Sequence, residues 1–507
     1  MKKVLKKKYL LYSLPFLFLF AVVFPKLLGH GMFIDGVLYA TIARNLSQNI
    51  GTFWEPYFTK TIFPSFSEHP PLGLYIQSIL FSIFGDSRWV EKGYTLALAI
   101  LQLLLISRIW KNISNKKDLS WAPAFIFVIT PIVFWAMANN ILENILIVFL
   151  MIGTLFIIRG CRAQKNYEAI FYGFISAIFL LLGFLSKGVF ALYLLVFPFF
   201  CFYFLDKANK SKAIICQISL LFSTIILSLP FIFYTKSFAF FKLYFENQVY
   251  KGLVGDREIS DPHFEILRAL LEQIVLPVSL CLIIVLFIRN LKLFNFNRTT
   301  ILYLLMALSS SLPLVISSKN HAAYLMISLP FYALLIASLF LNYLSRFHDW
   351  CVQTKYGAFL LYSLVISMSF VIIILSTRNY NRVLKNAEYH NDFTMQGKMP
   401  LENKLISFCP KWMRGKGATK MMASNLARDY KISLSLNPNH QFRIFLLNDP
   451  EACSIPKGCT LFFPKNPKEF AIYDCQEISS IDSINGENEV LMDSALFWYD
   501  GSKQQQE

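Results

Sequence analysis

The sequence predicts a multi-pass α-helical membrane protein of about eleven spans, with helices lying along its outer surface and a small C-terminal α/β domain. Three observations carry that prediction. The 507 residues are 55% hydrophobic and 16% aromatic, with a mean hydropathy of +0.49. Long apolar runs recur through residues 1–376 and then stop. Lysines and arginines crowd into alternate loops, the signature of a chain threaded through a bilayer.

A spanning helix needs roughly 20 mostly apolar residues. The windows that qualify are 9–29, 90–107, 121–138, 141–158, 168–186, 188–205, 213–234, 270–288, 299–317, 321–343 and 355–376. The first follows a Lys-rich start, but its apolar run is long and no small-residue cleavage site ends it. It reads as an uncleaved first helix. Lys2, Lys3, Lys6, Lys7 and Lys8 put the N-terminus inside. Alternate loops then carry Arg108, Lys111, Lys116 and Lys117, then Arg159, Arg162 and Lys165, then Lys207, Lys210 and Lys212, and last Arg289, Lys292 and Arg298. The opposite loops hold Asp35, Glu55, Glu68, Glu143 and a mixed-charge stretch from 235 to 268. This alternation works only if 70–86 does not cross. That segment is short and holds Gly73 and Gln77, so it is placed along the outer surface. A second surface helix runs to about Gln48, with Leu38, Ile42 and Leu46 toward lipid and Thr41, Arg44 and Asn45 toward head groups. The net charge of +17 is largely inside-loop anchoring to anionic lipid and gives no reason to expect nucleic acid.

Residues 377–507 lose the apolar runs. Short β-like stretches at Tyr430–Leu436, Phe442–Leu447 and Thr460–Pro464, with turn residues between them, suggest a small α/β domain. An odd number of crossings puts it outside. Four of the nine cysteines, Cys409, Cys453, Cys459 and Cys475, fall there, enough for two disulfides, with Cys453–Cys459 the shortest loop. The Gln-rich end after Lys503 reads as a disordered tail. No phosphate-loop, HExxH or CxxC motif occurs, and the seven histidines are scattered. No metal site and no cofactor is predicted, and a divalent cation has no support in the sequence. No matched pair of Gly- or Pro-broken helices marks a transporter.

Several polar residues stand where an ionised group is costly unless paired or employed. Asp35 opens the helix after the first span, as an N-cap or as a catalytic carboxylate kept ionised by the helix dipole. Glu68 and His69 precede Pro70 and Pro71, whose fixed backbone presents both side chains at a defined angle and starts the surface helix 71–84. Glu143 sits among Asn139, Asn140 and Asn144, either capping a tight hairpin or acting beside Asp35. Lys187, before Gly188, and Lys319 lie at outside helix ends, against the positive-inside trend. One such lysine is explained by snorkelling; two beside the acids suggest an anion site, with Gly188 letting backbone amides approach a phosphate. Lys251 and Arg257 add charge in the 235–268 loop.

At these residues the chain resembles the GT-C membrane glycosyltransferases of the protein O-mannosyltransferase and lipid A aminoarabinose transferase superfamily. The likeness rests on Asp35 with Tyr39 and Ala40 after span one, Phe66 to Leu72 (FSEHPPL), an acid after span three, Leu185 to Gly188 (LSKG), and Ser317-x-Lys319 with Tyr324. These run in the family's order through most of 1–345, and the family's outward C-terminal domain matches 377–507. Two positions depart from it: Glu143 stands where Asp is usual, and Glu246-Asn247 where the aminoarabinose branch commonly has Glu-His. The acceptor, a lipid or a protein, stays open.

The resemblance implies a GT-C fold, a polyprenyl-phosphate-linked sugar donor and an outward active site at a plasma (bacterial inner) membrane. Asp35 would be the catalytic carboxylate with Glu68 beside it. Lys187, Lys319 and Arg257 would stabilise the leaving phosphate. Glu143, His69, Tyr39 and Tyr324 would hold the acceptor or support those groups. With a hydroxyl acceptor Asp35 acts as general base; with a lipid phosphate it mainly orients. The rival classes are a multi-pass lipid or solute transporter and a non-catalytic assembly or polymer-export protein. Convergence of Asp35, Glu68, Lys187 and Lys319 on one outward cavity separates them, since a transporter places its polar residues near mid-membrane.

Overall fold

The computed structural model describes residues 2–29, 32–254, 265–288, 295–316 and 321–395, and beyond them 405–408, 424–429, 431, 433–434, 444–447, 459–463 and 471–475. Arg257, Lys319, Cys409 and Cys453 lie outside the described residues. The principal helices begin with α1 (Lys7–Leu28), α2 (Ile34–Ser47), α3 (Leu72–Phe84), α4 (Arg88–Ile113), α5 (Trp121–Val128), α6 (Pro131–Met137), α7 (Leu142–Cys161) and α8 (Asn166–Lys187). A 3-10 stretch, Val189–Val196, leads into α9 (Phe197–Phe204). Then follow α10 (Lys210–Phe233), α11 (Thr235–Tyr244), α12 (Glu265–Ile288), α13 (Arg298–Ser311), α14 (Leu329–Leu339), α15 (Leu341–Gln353) and α16 (Lys355–Met395).

Among the described residues, 8 helices are long and apolar enough to cross a membrane, or up to 10 if each of two bent pairs is one span. This is a multi-pass integral membrane protein. The eleven sequence windows differ from that count in instructive ways. Window 121–138 is broken between α5 and α6 by 83°. Pro131 opens α6, lacks the amide that would continue α5, and drives Thr130 into an extended conformation. Window 321–343 divides as well. Residues Ala322–Ile327 are 3-10, and α14 and α15 meet at 77°. There the Leu339 carbonyl accepts from the Asn295 amide at 3.0 Å instead of continuing the helical ladder. Two broken helix pairs therefore exist where the sequence reading expected none. Window 188–205 is a shorter apolar helix, Val189–Phe204. Its first 8 residues are 3-10 and its last 8 are α-helical. At roughly 2.0 and 1.5 Å of rise per residue these reach ~28 Å, near the hydrocarbon thickness.

Small residues set how closely the spans approach. A Cβ on Gly173 of α8 would lie 2.8 Å from the Cys216 carbonyl of α10, and one on Gly160 would strike the Cys216 sulfur. Such contacts replace the hydrophobic driving force that lipid removes. The helix α3 is only 13 residues long, about 20 Å, too short to span.

The lipid-facing placement of α2 does not hold. Leu38 and Ile42 are buried, and so are Thr41, Arg44 and Asn45 on the supposed head-group side. The 424–429 helix covers that polar side, through a contact no local pattern could announce. Beyond α16, five strands form a sheet of order β2-β1-β3-β5-β4: β1 (Leu405–Phe408), β2 (Ser433–Leu434), β3 (Ile444–Leu447), β4 (Cys459–Phe463) and β5 (Ala471–Cys475). Strand β1 is parallel to both β2 and β3, and the 424–429 helix forms part of the β1–β2 crossover. Cys459 and Cys475 are register partners on β4 and β5.

Candidate active site

The site is assembled at the start of α2. Phe33 is the N-cap residue, and its amide donates to Asn139 Oδ1 at 2.6 Å. Asp35 is therefore not the cap expected from the sequence; it lies inside the first turn. An acid there still meets the positive end of the helix dipole. Asn140 fixes the same turn from the α6–α7 connection, its Nδ2 donating to the Gly36 carbonyl at 3.1 Å and to Gln77 Oε1 of α3 at 3.0 Å. A Cβ on Gly36 would come within 3.0 Å of the Asn140 amide, which is why glycine suits that position. The asparagine cluster thus ties α2, α3 and α7 together at one end, and Asn144 Nδ2 closes the hairpin onto the Ala136 and Asn139 carbonyls.

Around this frame the motif residues converge. Asp35 and Tyr39 share one face of α2 at i, i+4. The Tyr39 ring packs against His69 and Phe66, at 6.1 and 6.3 Å between centroids. Glu143 is in the first turn of α7 and Lys187 is the last residue of α8. Lys187 Nζ lies 3.0 Å from Glu143 Oε1, with both side chains 4% exposed. The same ammonium is 3.3 Å from His69 Nε2 and 5.8 Å above the Tyr324 ring. Burial, and then the charges of Asp35, Glu143, Tyr324 and Glu68, push the Tyr39 phenol well above its ordinary value. It stays protonated and can donate a hydrogen bond. The contacts above bring Tyr39, His69, Glu143, Lys187 and Tyr324, five of the anticipated residues, to one place. Asp35, Glu68 and His69 are half-buried at its edge.

Gly188 behaves differently from its sequence reading. Its φ of +82° excludes most side chains, and the space a Cβ would take is filled by the Tyr244 phenol. The Val189 amide donates to that hydroxyl at 3.4 Å. Tyr244 ends α11, and the π-helical turn Phe245–Tyr250 that follows carries Glu246 and Asn247. Such turns recur at functional sites.

Beside the site an apolar cavity of ≈ 470 Å³ opens between α8, the 3-10 stretch, α10 and α11. Phe184, Leu185, Leu192, Phe231 and Phe241 line it, and Lys242 is its one charged residue. It follows the last turns of α8, the helix that ends in Lys187. Sequence reasoning missed Lys242 and Tyr244. An aromatic run (Phe238, Phe240, Phe241, Phe245) broken by one lysine was the available signal. Among the described residues, no three His, Cys, Asp or Glu side chains are grouped as metal ligands.

Residues 68–234 match the family model described as dolichyl-phosphate-mannose-protein mannosyltransferase. Over this segment, about a third of its length, the chain is similar to that family. The matched segment begins at Glu68 and includes Glu143 and Lys187. Over 187 residues it is 30% identical to the undecaprenyl phosphate-alpha-4-amino-4-deoxy-L-arabinose arabinosyl transferase of Wigglesworthia glossinidia brevipalpis. That match covers 36% of this chain and 32% of the relative, so it spans about a third of the relative's length. The fold extends further. The crystal structure of ArnT from Cupriavidus metallidurans bound to undecaprenyl phosphate superposes with a TM-score of 0.57 at 9% identity, covering 92% of this chain and 97% of that one. An Archaeoglobus fulgidus oligosaccharyltransferase in complex with Zn and sulfate gives 0.50 at 14% identity, covering 87% and 62%. At these identities the shared property is the fold.

Proposed function

We propose that the protein is an integral-membrane glycosyltransferase that moves a sugar from a polyprenyl-phosphate carrier to a lipid or protein acceptor on the outer face. One observation carries this reading. Asp35, Tyr39, Glu68, His69, Glu143, Lys187 and Tyr324, far apart in sequence, meet at the ends of helices beside a cavity suited to an isoprenoid chain. The match to the arabinosyl transferase, and the undecaprenyl phosphate held by the structurally similar ArnT, support the donor class.

A phosphate leaving group is already good and asks for cations rather than a general acid. Lys187 retains N–H groups beyond its pair with Glu143, Lys242 stands at the cavity wall, and Lys319 and Arg257 complete the proposed set. Asp35 takes the proton from a hydroxyl acceptor, Glu68 assists, and Tyr39 donates a hydrogen bond. Placing these groups outside agrees with the loop charges, with eleven crossings counted through Val189–Phe204, and with 377–507 as an outer α/β domain. A transporter reading is weaker despite the two broken helix pairs. The acid of the central pair is in the first turn of α7 and its lysine is the last residue of α8, so neither lies at mid-span.

The test is direct. Full-length protein in liposomes, given a synthetic polyprenyl-phosphate pentose or hexose and an extract of envelope glycolipids, should release polyprenyl phosphate and yield a glycosylated product by mass spectrometry. Absence of both with every donor of this class would overturn the proposal.

A further inference from the structure

Arg44 lies nine residues beyond Asp35 on α2, about 13 Å further along the helix. It is 2% exposed, an extreme position for a guanidinium. Two of its partners come from the far end of the chain. Nη1 donates to the Arg428 carbonyl at 2.6 Å and Nη2 to the Ala427 carbonyl at 3.1 Å, while Nε and Nη2 reach Asn45 Oδ1. Those two carbonyls end the 424–429 helix, where unsatisfied acceptors and the negative pole of the dipole favour a cation.

The 424–429 helix returns the contact. Arg428 grips Glu91 of α4 with both arms of its fork, at 3.2 and 3.1 Å, and Asp86 at 2.7 Å. Its guanidinium also lies 5.2 Å over the Phe81 ring of α3. Asp429 pairs with Arg88 at the start of α4. Asn45 Nδ2 holds the Tyr57 and Phe58 carbonyls, and the Lys60 amide donates to Ser433 on β2. The asparagine cluster sets one end of α2; segments some 380 residues distant set the other.

We propose that the 424–429 helix is a positioning element that fixes the rotation and height of α2, and through it the placement of Asp35 and Tyr39. Arg44, Arg428 and Glu91 are positioning residues in this scheme. None of them touches the reacting groups. The inference rests on the transferase reading for its kinetic consequence, but not for its structural one.

The experiment uses full-length protein in lipid nanodiscs, with amide hydrogen exchange followed peptide by peptide and transfer from a synthetic polyprenyl-phosphate sugar measured in parallel. Arg428→Gln should speed exchange within 34–47 while α7 and α8 stay as in the wild type. It should lower kcat about ten- to a hundredfold, the effect of a displacement of about 1 Å, with donor KM changed less than about twofold. Arg428→Lys should recover part of the rate, since an ammonium restores charge but not the two-armed grip. If Arg428→Gln does not accumulate, Asp86→Asn, whose side chain is 33% exposed, should give the same pattern at about two- to fivefold. Unchanged exchange in 34–47 would overturn the proposal, and so would faster exchange with a wild-type kcat. Uniformly faster exchange with normal kcat per folded molecule would reduce the contact to general stability. A wild-type protein that transfers no sugar would defeat the functional reading, and the exchange data would still decide whether α2 is held from the C-terminal side.

Discussion

Two buried ion pairs flank α2, and they are built differently. Glu143 with Lys187 is a single contact of 3.0 Å between side chains each 4% exposed, with the remaining lysine protons near His69 and the face of Tyr324. Glu91 with Arg428 is a two-armed fork between side chains 6% and 5% exposed, with Asp86 taking a third donor. A guanidinium in a fork has one good geometry, whereas an ammonium is a point charge on a flexible stem that can turn to a new partner. In the proposed reaction the first pair would share its charge with an arriving phosphate. The second has no such freedom, and its place in the molecule is mechanical.

The largest effect that would break this contrast belongs to Asp35. Asp35→Asn should cut sugar transfer by about 10²–10⁴-fold, the usual worth of a general base. Asp35 is not the cap of α2, and the dipole interaction that its charge contributes there is worth about 0.3–1 kcal/mol. Normal accumulation with wild-type transfer would remove Asp35 from the chemistry.

The Lys187 pair comes next. Lys187→Met alone leaves Glu143 buried without its partner, which typically costs about 3–5 kcal/mol. Loss of activity in that variant would therefore say little. Lys187→Met combined with Glu143→Leu should regain most of the stability, because replacing both members of a buried pair is often neutral. Transfer should not return. A double variant that regained stability and activity together would make this pair as mechanical as that of Arg428.

The smallest perturbation tests sidedness. Lys60→Cys and Lys431→Cys should label from the same side with a membrane-impermeant thiol reagent in intact cells. The Lys60 amide already bonds to Ser433, so labelling of both from the cytoplasm would move the whole site inside.

The segments that supply the proposed site were legible in the sequence, because each carried a short polar motif in apolar surroundings. Glu68-His69 before two prolines, and Lys187 at a helix end, could be read locally. The helix breaks were not read: Pro131 was a local sign of one that the single window 121–138 passed over, while the bend at Phe340 depends on a distant amide and had no local sign. The role of Arg44 was hidden altogether. Its spacing matched an amphipathic surface helix, and only tertiary contact with Ala427 and Arg428 shows that the polar face is covered. Asp35 was misplaced by two residues because the helix opens at Phe33, whose own amide is held by Asn139, remote in sequence. Lys319 and Arg257 fall outside the described residues, and their roles remain proposals.

The separation between Arg44 and its partners also has a consequence in time. The carbonyls of Ala427 and Arg428 are made 383 and 384 residues after Arg44. At synthesis rates of about 5–20 residues per second, that is a delay of roughly 20–80 s. Throughout it a guanidinium destined for burial must stay hydrated at the membrane surface. The helix bearing Asp35 thus reaches the bilayer early and is seated late. A nascent chain inserted up to α15 would hold most of the site's residues without a fixed place for them, so competence would arrive only as the last quarter of the chain docks.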